Sequence, residues 1–483
     1  MYMRKKCKSI LCMVLAMVVM FTMTACGGSE KEEKDKSDST QGSDSKTAEN
    51  GEFSWDMCKG QTIQVLFNEH PYSAAIVEHI KDFEELTGIK VQHSTIPETN
   101  YFDKVSVLLN SGGDNLDIFM TGPYQIWEYA GAGYMEDLEP FIQDPAKTAP
   151  DWQAEDFYQT ILDSGRWDGI SGHSMGEGSL WGLPMGYESD VLVYNKRILE
   201  EHGIEVPKTT SELLEAASAL QGHSGENTYG VALRGELGWA SLITAYQCFY
   251  SMWGGKDFAA EGGKLASQVN SPEAVEMTDW YVKLIQQGGS PTWAKATWYD
   301  LVTDIGNGTA AMMIDSSSCC FTPCVPGASK EAENLVVTTI PRPDGAGEDD
   351  DAYQLWTWSL AMNSASEKKD ASWLFLQYFT SSEFHVKAFE HAQTVNAPRQ
   401  STTDSASYSA MVDAVQGYTE ATEATVDATK MYYTPETEVF NVLYEWCATI
   451  QELTEGKYAS TQEGMDELKE TLDKIVSGIE VKE

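Results

Sequence analysis

Between Gln61 and Met120 the apolar residues switch period repeatedly, and this switching restricts the fold more than any other feature of the chain. Gln61 to Phe67 alternates, with Ile63, Val65 and Phe67 on one side, which predicts a strand. Ile76, Ile80, Phe83 and Thr87 then share one face of a helix that stops at Gly88. Ile89 and Val91 begin a second strand. Phe102, Val105, Leu108 and Leu109 form a second helical stripe, ended by Ser111-Gly112-Gly113. Leu116 to Met120 is a short buried strand. The order β-α-β-α-β belongs to a parallel sheet covered by helices, so the fold class is α/β.

The later part of the chain carries clear helix starts. Thr209-Thr210-Ser211-Glu212 is a capping box ahead of Leu213, Ala217 and Leu220. Ser271-Pro272 supplies an N-cap and a first-turn proline, and Thr434-Pro435 repeats the device before Val439. Ser460 and Glu463 cap a last helix carrying Met465, Leu468, Leu472 and Ile475. Strands recur at Val191 to Tyr194, Ala311 to Ile314 and Leu355 to Ala361.

The N-terminus reads as an export signal. Arg4, Lys5, Lys6 and Lys8 precede an apolar run from Ile10 to Phe21, too short to span a bilayer. It leads to Met23-Thr24-Ala25-Cys26-Gly27, small residues before a cysteine in the manner of a bacterial lipobox. Residues 1–25 are the expected signal peptide, with a lipidated Cys26 and an extracytoplasmic, membrane-anchored body. Residues 27 to 52 are nearly devoid of apolar side chains and are expected to be disordered; the linker is taken as 26–58.

The remaining ~425 residues suggest two lobes rather than one domain. The net charge of −41 becomes −45 once the four signal cations leave, which argues against nucleic-acid binding. Cys319, Cys320 and Cys324 cluster without metal-ligand spacing or a nearby histidine, so no metal or other cofactor is expected. Whether these three form a disulfide is open. Gly172-His173-Ser174-Met175-Gly176 matches G-x-S-x-G, the nucleophile elbow of hydrolases. That chemistry needs a buried strand before the serine and a helix after it. Arg166 to Ser171 is not an apolar strand and no helical stripe follows, so a Gly-rich hairpin is the better account.

The chain resembles the extracellular solute-binding proteins of carbohydrate ABC importers, of maltodextrin- and polyol-binding type. The resemblance rests on Phe83-x-x-x-Thr87-Gly88-Ile89-Lys90-Val91, Trp127-x-Tyr129-Ala130 through Asp137-Leu138, and Trp181-Gly182-Leu183-Pro184 through Val193-Tyr194-Asn195-Lys196. Val206-Pro207-Lys208-Thr209, Tyr229-Gly230, Gly306-Asn307-Gly308 and Thr434-Pro435-Glu436 continue it, from about 60 to 478. Leu233-Arg234-Gly235, Gly238-Trp239, Met313-Ile314-Asp315 and Leu355-Trp356-x-Trp358 resemble the polyol and small-sugar branch most.

The resemblance implies a two-lobed periplasmic-binding-protein fold. Each lobe would be a mixed or parallel sheet flanked by helices, with the ligand cleft between lobes. It places lobe 1 at 59–190 with 358–398 and lobe 2 at 191–357 with 399–478. The chain would cross between lobes near Tyr187 to Val193 and again near Trp356 to Asn363. It implies a monomer that does no chemistry and passes a neutral sugar or polyol to the permease subunits of an ABC transporter. A surface hydrolase, of the serine or glycosidase type, and an adhesin are the rival readings. Sugar hydroxyls call for charged hydrogen-bonding groups and aromatic plates. The resemblance implies that Glu188, Arg234, Trp239, Asp315 and Trp356 face the cleft. Glu69 and His70 after the first strand, Glu98 after the second and Tyr124 after the third join them. The competing reading puts both tryptophans in the core, pairs Arg234 with Asp315 structurally and leaves Glu188 exposed.

Overall fold

The computed structural model describes residues 52–482 other than 113, 114 and 393. The signal peptide, Cys26 and nearly all of the linker lie outside the described residues.

The opening pattern forms as the periodicity predicts. β1 (Thr62–Asn68), α1 (Pro71–Thr87), β2 (Lys90–Ile96), α2 (Glu98–Asn110) and β3 (Ile118–Thr121) follow in turn, then α3 (Pro123–Gly131). α1 is bounded by local chemistry at both ends. His70 caps it by accepting the Tyr72 amide, Ser73 Oγ in turn accepts from the His70 amide, and Pro71 sits in the first turn. Gly88, at φ 70°, closes it in the left-handed conformation that glycine adopts without strain.

The chain then lays down β4 (Leu183–Glu188), β5 (Asp190–Asn195), α4 (Thr210–Ala219), β6 (Tyr229–Ala232), α5 (Ala245–Met252) and α6 (Pro272–Gly288). After these come α7 (Trp298–Asn307), β7 (Ala310–Ser316), α8 (Ser317–Cys324), β8 (Leu335–Thr338) and β9 (Trp356–Met362). α9 (Val439–Thr454) and α10 (Thr461–Ile475) follow near the C-terminus.

Two mixed sheets result, one for each lobe. The first runs β2-β1-β3-β9-β4 and the second β8-β5-β7-β6. β1 pairs in parallel with β2 and β3, while β9 runs antiparallel to β3 and β4. In the second sheet β7 is parallel to β6, and β5 is antiparallel to both β7 and β8. Alternation along β5 and β7 buries both faces of the second sheet. Val191, Val193 and Met313 pack with Leu301 and Ile305 of α7 and Cys320 and Cys324 of α8; Leu192, Met312 and Ile314 join the main core on the other side.

One residue, Ser189, separates β4 in the first sheet from β5 in the second, so the first crossing lies where the resemblance put it. The second does not. β9 lies wholly in the first sheet, so the chain has crossed before Trp356 rather than between Trp356 and Asn363. The packed body also begins earlier than 59. Phe53 meets Trp55 edge-on, Trp55 does the same with Tyr378, and Cys58 is buried. Thr434-Pro435 does not cap α9, which starts at Val439 without a side-chain cap. The amide and hydroxyl of Thr434 instead donate to the Asp257 carboxylate, at 2.6 and 2.7 Å.

Candidate functional site

Strand ends of the two sheets meet around a narrow cavity of about 30 Å³. The first sheet contributes His70 just after β1, Glu98 at the start of α2, Glu188 at the end of β4, and Trp356 and Trp358 of β9. The second contributes Asp190 at the start of β5, Arg234 beyond β6, and Ser316 at the end of β7. Trp239 and Thr244 follow Arg234, and Trp298 and Cys319 come from α7 and α8. Strand ends leave backbone and side chains free to turn into a crevice, which is where ligands of such sheets bind.

An aromatic wall closes one side. Trp239 stacks on Trp356 with ring centres 5.2 Å apart, and Trp358 meets Trp356 edge-on at 5.1 Å. Phe102 of α2 stacks at 6.1 Å on Trp358 and meets Trp239 edge-on at 5.5 Å, bridging the two lobes. Trp356 and Trp358 point to the same side because strand residues two apart share a face. Tyr124 is fully buried beside Trp356, and its hydroxyl accepts from Gln354 Nε2 at 2.5 Å.

The other side is polar. Arg234 donates two hydrogen bonds to Asp315, from Nε at 2.7 Å and Nη2 at 2.6 Å. Such a fork-to-fork pair is among the strongest side-chain contacts and holds the guanidinium rigid. Burial works against the charged Arg234, but Asp315 beside it outweighs this and holds its pKa well above the usual range. Glu188 is 6% exposed and accepts a short hydrogen bond from Ser318. His70 Nδ1 accepts the Tyr72 amide, which leaves the ring hydrogen on Nε2, 3.6 Å from Glu188. Burial alone would raise the Glu188 pKa, yet His70, Ser318 and Arg234 together hold it below the usual carboxylate range. Glu98 accepts from Asn68 Nδ2 at 3.3 Å and moves the other way, because burial outweighs the help of Arg234 and His70.

Of the nine residues singled out in the sequence, six line the cavity: His70, Glu98, Glu188, Arg234, Trp239 and Trp356. Asp315 stands behind Arg234 and Tyr124 behind Trp356, each fully buried and supporting the residue in front. Glu69 is exposed and outside the lining: it precedes the cap of α1 and turns to the surface. Both readings of Arg234 hold together, since it is at once an ion-pair partner and a wall of the cavity. Glu188 is buried rather than exposed. Asp190, Trp298, Gln354 and Trp358 line the cavity and were not singled out. Trp358 had a signal, its two-residue spacing from Trp356.

The G-x-S-x-G segment lies elsewhere and does not form an elbow. It links an antiparallel pair, Arg166–Trp167 with Ser179–Leu180, and Ser174 is exposed on that connection. His173 turns its two ring nitrogens to Asp168 Oδ2, at 2.6 Å, and to the Lys482 carbonyl, at 2.9 Å. Cys319, Cys320 and Cys324 are buried free thiols, and Cys319 lines the cavity.

Residues 68–385 match the family described as bacterial extracellular solute-binding protein. The chain belongs to that family. Among relatives of this solute-binding protein is the erythritol/L-threitol-binding protein of Mycolicibacterium smegmatis. It is 33% identical over 415 residues, which cover 85% of this chain and 86% of that one. The fold is similar to that of an ABC transporter solute-binding protein from Agrobacterium radiobacter solved in complex with ribitol. The TM-score is 0.73 at 21% identity, over 86% of this chain and 99% of the other. A solute-binding protein from Agrobacterium vitis with bound D-mannitol gives the same TM-score of 0.73 at 20% identity, with coverage of 86% and 99%. Both likenesses establish the two-lobed architecture. Among the described residues no helix is long and apolar enough to cross a membrane.

Proposed function

We propose that this solute-binding protein captures a short, neutral polyol in the cavity between its lobes and delivers it to the permease subunits of an ABC importer. The observation that carries the reading is the cavity wall itself. Stacked tryptophans face ionised, hydrogen-bonded groups drawn from both sheets. Hydroxyls need the charged groups, and C–H surface needs the rings. The relative named for erythritol and L-threitol supports a four-carbon ligand. The cavity of about 30 Å³ has room for only two or so water molecules at ~10–15 Å³ each, less than even a tetritol fills, so the lobes part to admit one. A longer sugar would need the lobes to stand further apart.

In this proposal Glu188, His70, Glu98 and Arg234 hold hydroxyls, and Trp239 and Trp356 supply apolar surface. Asp315 and Tyr124 position Arg234 and Trp356. The two lobes, one built on each sheet, open as a hinge to admit solute. A diacylglycerol thioether on Cys26, with a further acyl chain such as palmitate, tethers a monomer to the outer face of the cell membrane. Two chains suffice for stable anchoring where one is marginal. The protein carries out no reaction and needs no cofactor.

A thermal-shift screen of the purified mature chain against tetritols, pentitols, hexitols and monosaccharides tests the reading. A ligand that binds only the folded state at 100 times its Kd adds ~2.7 kcal/mol of stability. A clear rise in melting temperature with erythritol or another short polyol is expected. No rise with any polyol, alongside a rise with an unrelated solute class, would refute it.

A further inference from the structure

The crossing between lobes brings a carboxyl to the cavity that has no part in the proposed binding set. Asp190 opens β5 one residue past the crossing, pairs with Ser316 of β7 and lines the cavity. It is 2% exposed. Its Oδ2 accepts from the Cys248 thiol of α5 at 2.8 Å. That thiol sulfur also accepts the backbone N–H of Gln354 at 3.3 Å, so its own hydrogen is free to point at Asp190. Oδ2 is therefore an acceptor, and a proton on this carboxyl belongs on Oδ1. Oδ1 makes no hydrogen bond among the described residues.

The titratable and charged groups around Asp190 come from every packed element. They are Cys248 of α5, Asp315 of β7, Arg234 beyond β6, Glu188 of β4, Tyr124 of α3, Tyr281 of α6 and Cys320 of α8. Burial pushes the Asp190 carboxyl up to about 8; Asp315 and Glu188 reinforce this, against Cys248 and Arg234. Burial also pushes the Cys248 and Cys320 thiols and the Tyr124 phenol well up.

We propose that Asp190 is a further ligand-contacting residue, a neutral carboxyl that donates a hydrogen bond from Oδ1 to a hydroxyl oxygen of the bound polyol. The proposal rests on the cavity being the polyol site. Its chemical sense is that an alcohol both donates and accepts, whereas ionised Glu188 can only accept. Asp190 supplies a donor beside it without bringing a second negative charge to a neutral ligand. An ionised Asp190 loses that donor, so affinity falls where the carboxyl titrates.

The test is the calorimetric Kd for erythritol from pH 7 to 9.5, for the wild type, Asp190→Asn and Cys248→Ala, with ligand-free melting recorded alongside. Wild-type affinity is expected to be flat at first and then to weaken by up to about tenfold per unit above about pH 8. Asp190→Asn donates at every pH and should stay flat, within about threefold of the wild type at pH 7. Cys248→Ala removes a donor that favours the anion and should move the weakening to higher pH, which keeps the test decisive should the asparagine variant not fold. A wild type that is flat to pH 9.5, or variants that reproduce its weakening unchanged, would overturn the proposal. A wild type that binds erythritol at no pH, nor any polyol, would instead refute the polyol reading, and this inference with it.

Discussion

Trp356 owes its position to a neighbour without a side chain. A Cβ built on Gly122, the residue preceding α3, would lie 2.3 Å from the Trp356 ring, well inside any real contact. The ring is 5% exposed and flanked by Tyr124, Trp239 and Trp358, so it has nowhere to retreat. Gly122→Ala is therefore expected to lower stability by ~1–3 kcal/mol, the usual range for overpacking. It should also weaken erythritol binding by tilting the aromatic wall. Melting and calorimetry on the same preparation check both, and an alanine variant with wild-type affinity would show that the wall does not set the site. Nothing in the sequence marks Gly122, because its neighbour is 234 positions away in the chain. The same holds for Asp190 and Gln354, polar residues whose meaning lies in a tertiary partner. Arg234, Trp239 and Trp356 were legible because they stand in motifs, and Trp358 could have been read from strand period alone.

Elements whose boundaries are set by local chemistry were the most legible. The capping boxes at His70 and Thr209 and the N-caps at Ser271 and Ser460 close their helix starts with hydrogen bonds inside one turn. His70 was noted only for its place after β1, yet its Nδ1 serves the cap and its Nε2 faces Glu188. Thr434-Pro435 carries the same local signature but is drawn away by buried Asp257, a partner with no sequence mark. The second crossing was misplaced for a related reason. Leu355 to Ala361 reads as one buried strand, and which sheet takes it depends on β3 and β4. Residues 53–58 resemble the polar stretch before them in position, not in content; Phe53, Trp55 and Met57 are apolar and pack on the body.

At the scale of the whole molecule, buried acids make stability depend on pH in two directions. Asp190 and Glu436 are each pushed up to about 8 by burial, and Glu436 Oε1 is buried with no partner among the described residues. The folded chain keeps these protons from about pH 4 to 8 while the unfolded chain releases them, so stability falls as pH rises through that window. Glu98 and Asp257 shift the same way by burial. Glu331 does the opposite. Burial alone would raise it, but hydrogen bonds from Asn195, Arg197 and Asn334 hold it at about 2, so its contribution is lost as pH falls from about 4.5 toward 2. Asp190 and Glu436 should therefore lower the ligand-free melting temperature as pH rises toward 8, and Glu436→Gln should reduce the decline. Equal steepness in that variant would mean that Glu436 does not contribute to the decline. The β-α-β-α-β opening made the α/β class readable, since period depends on neighbours in sequence, while the two lobes were implied by chain length and by the family resemblance; the cavity between lobes depends on which strand ends converge. The most direct test of that cavity is calorimetry with erythritol on the wild type, Glu188→Gln and Trp239→Ala, with ligand-free melting measured beside it. Trp239 is only half-buried, so its loss separates binding from folding better than that of Trp356. Expected are wild-type binding, a loss of roughly tenfold or more in each variant, since a hydrogen bond to a charged group contributes ~1.5–3 kcal/mol, and little change in ligand-free melting. Wild-type affinity in both folded variants would mean that this cavity is not the ligand site.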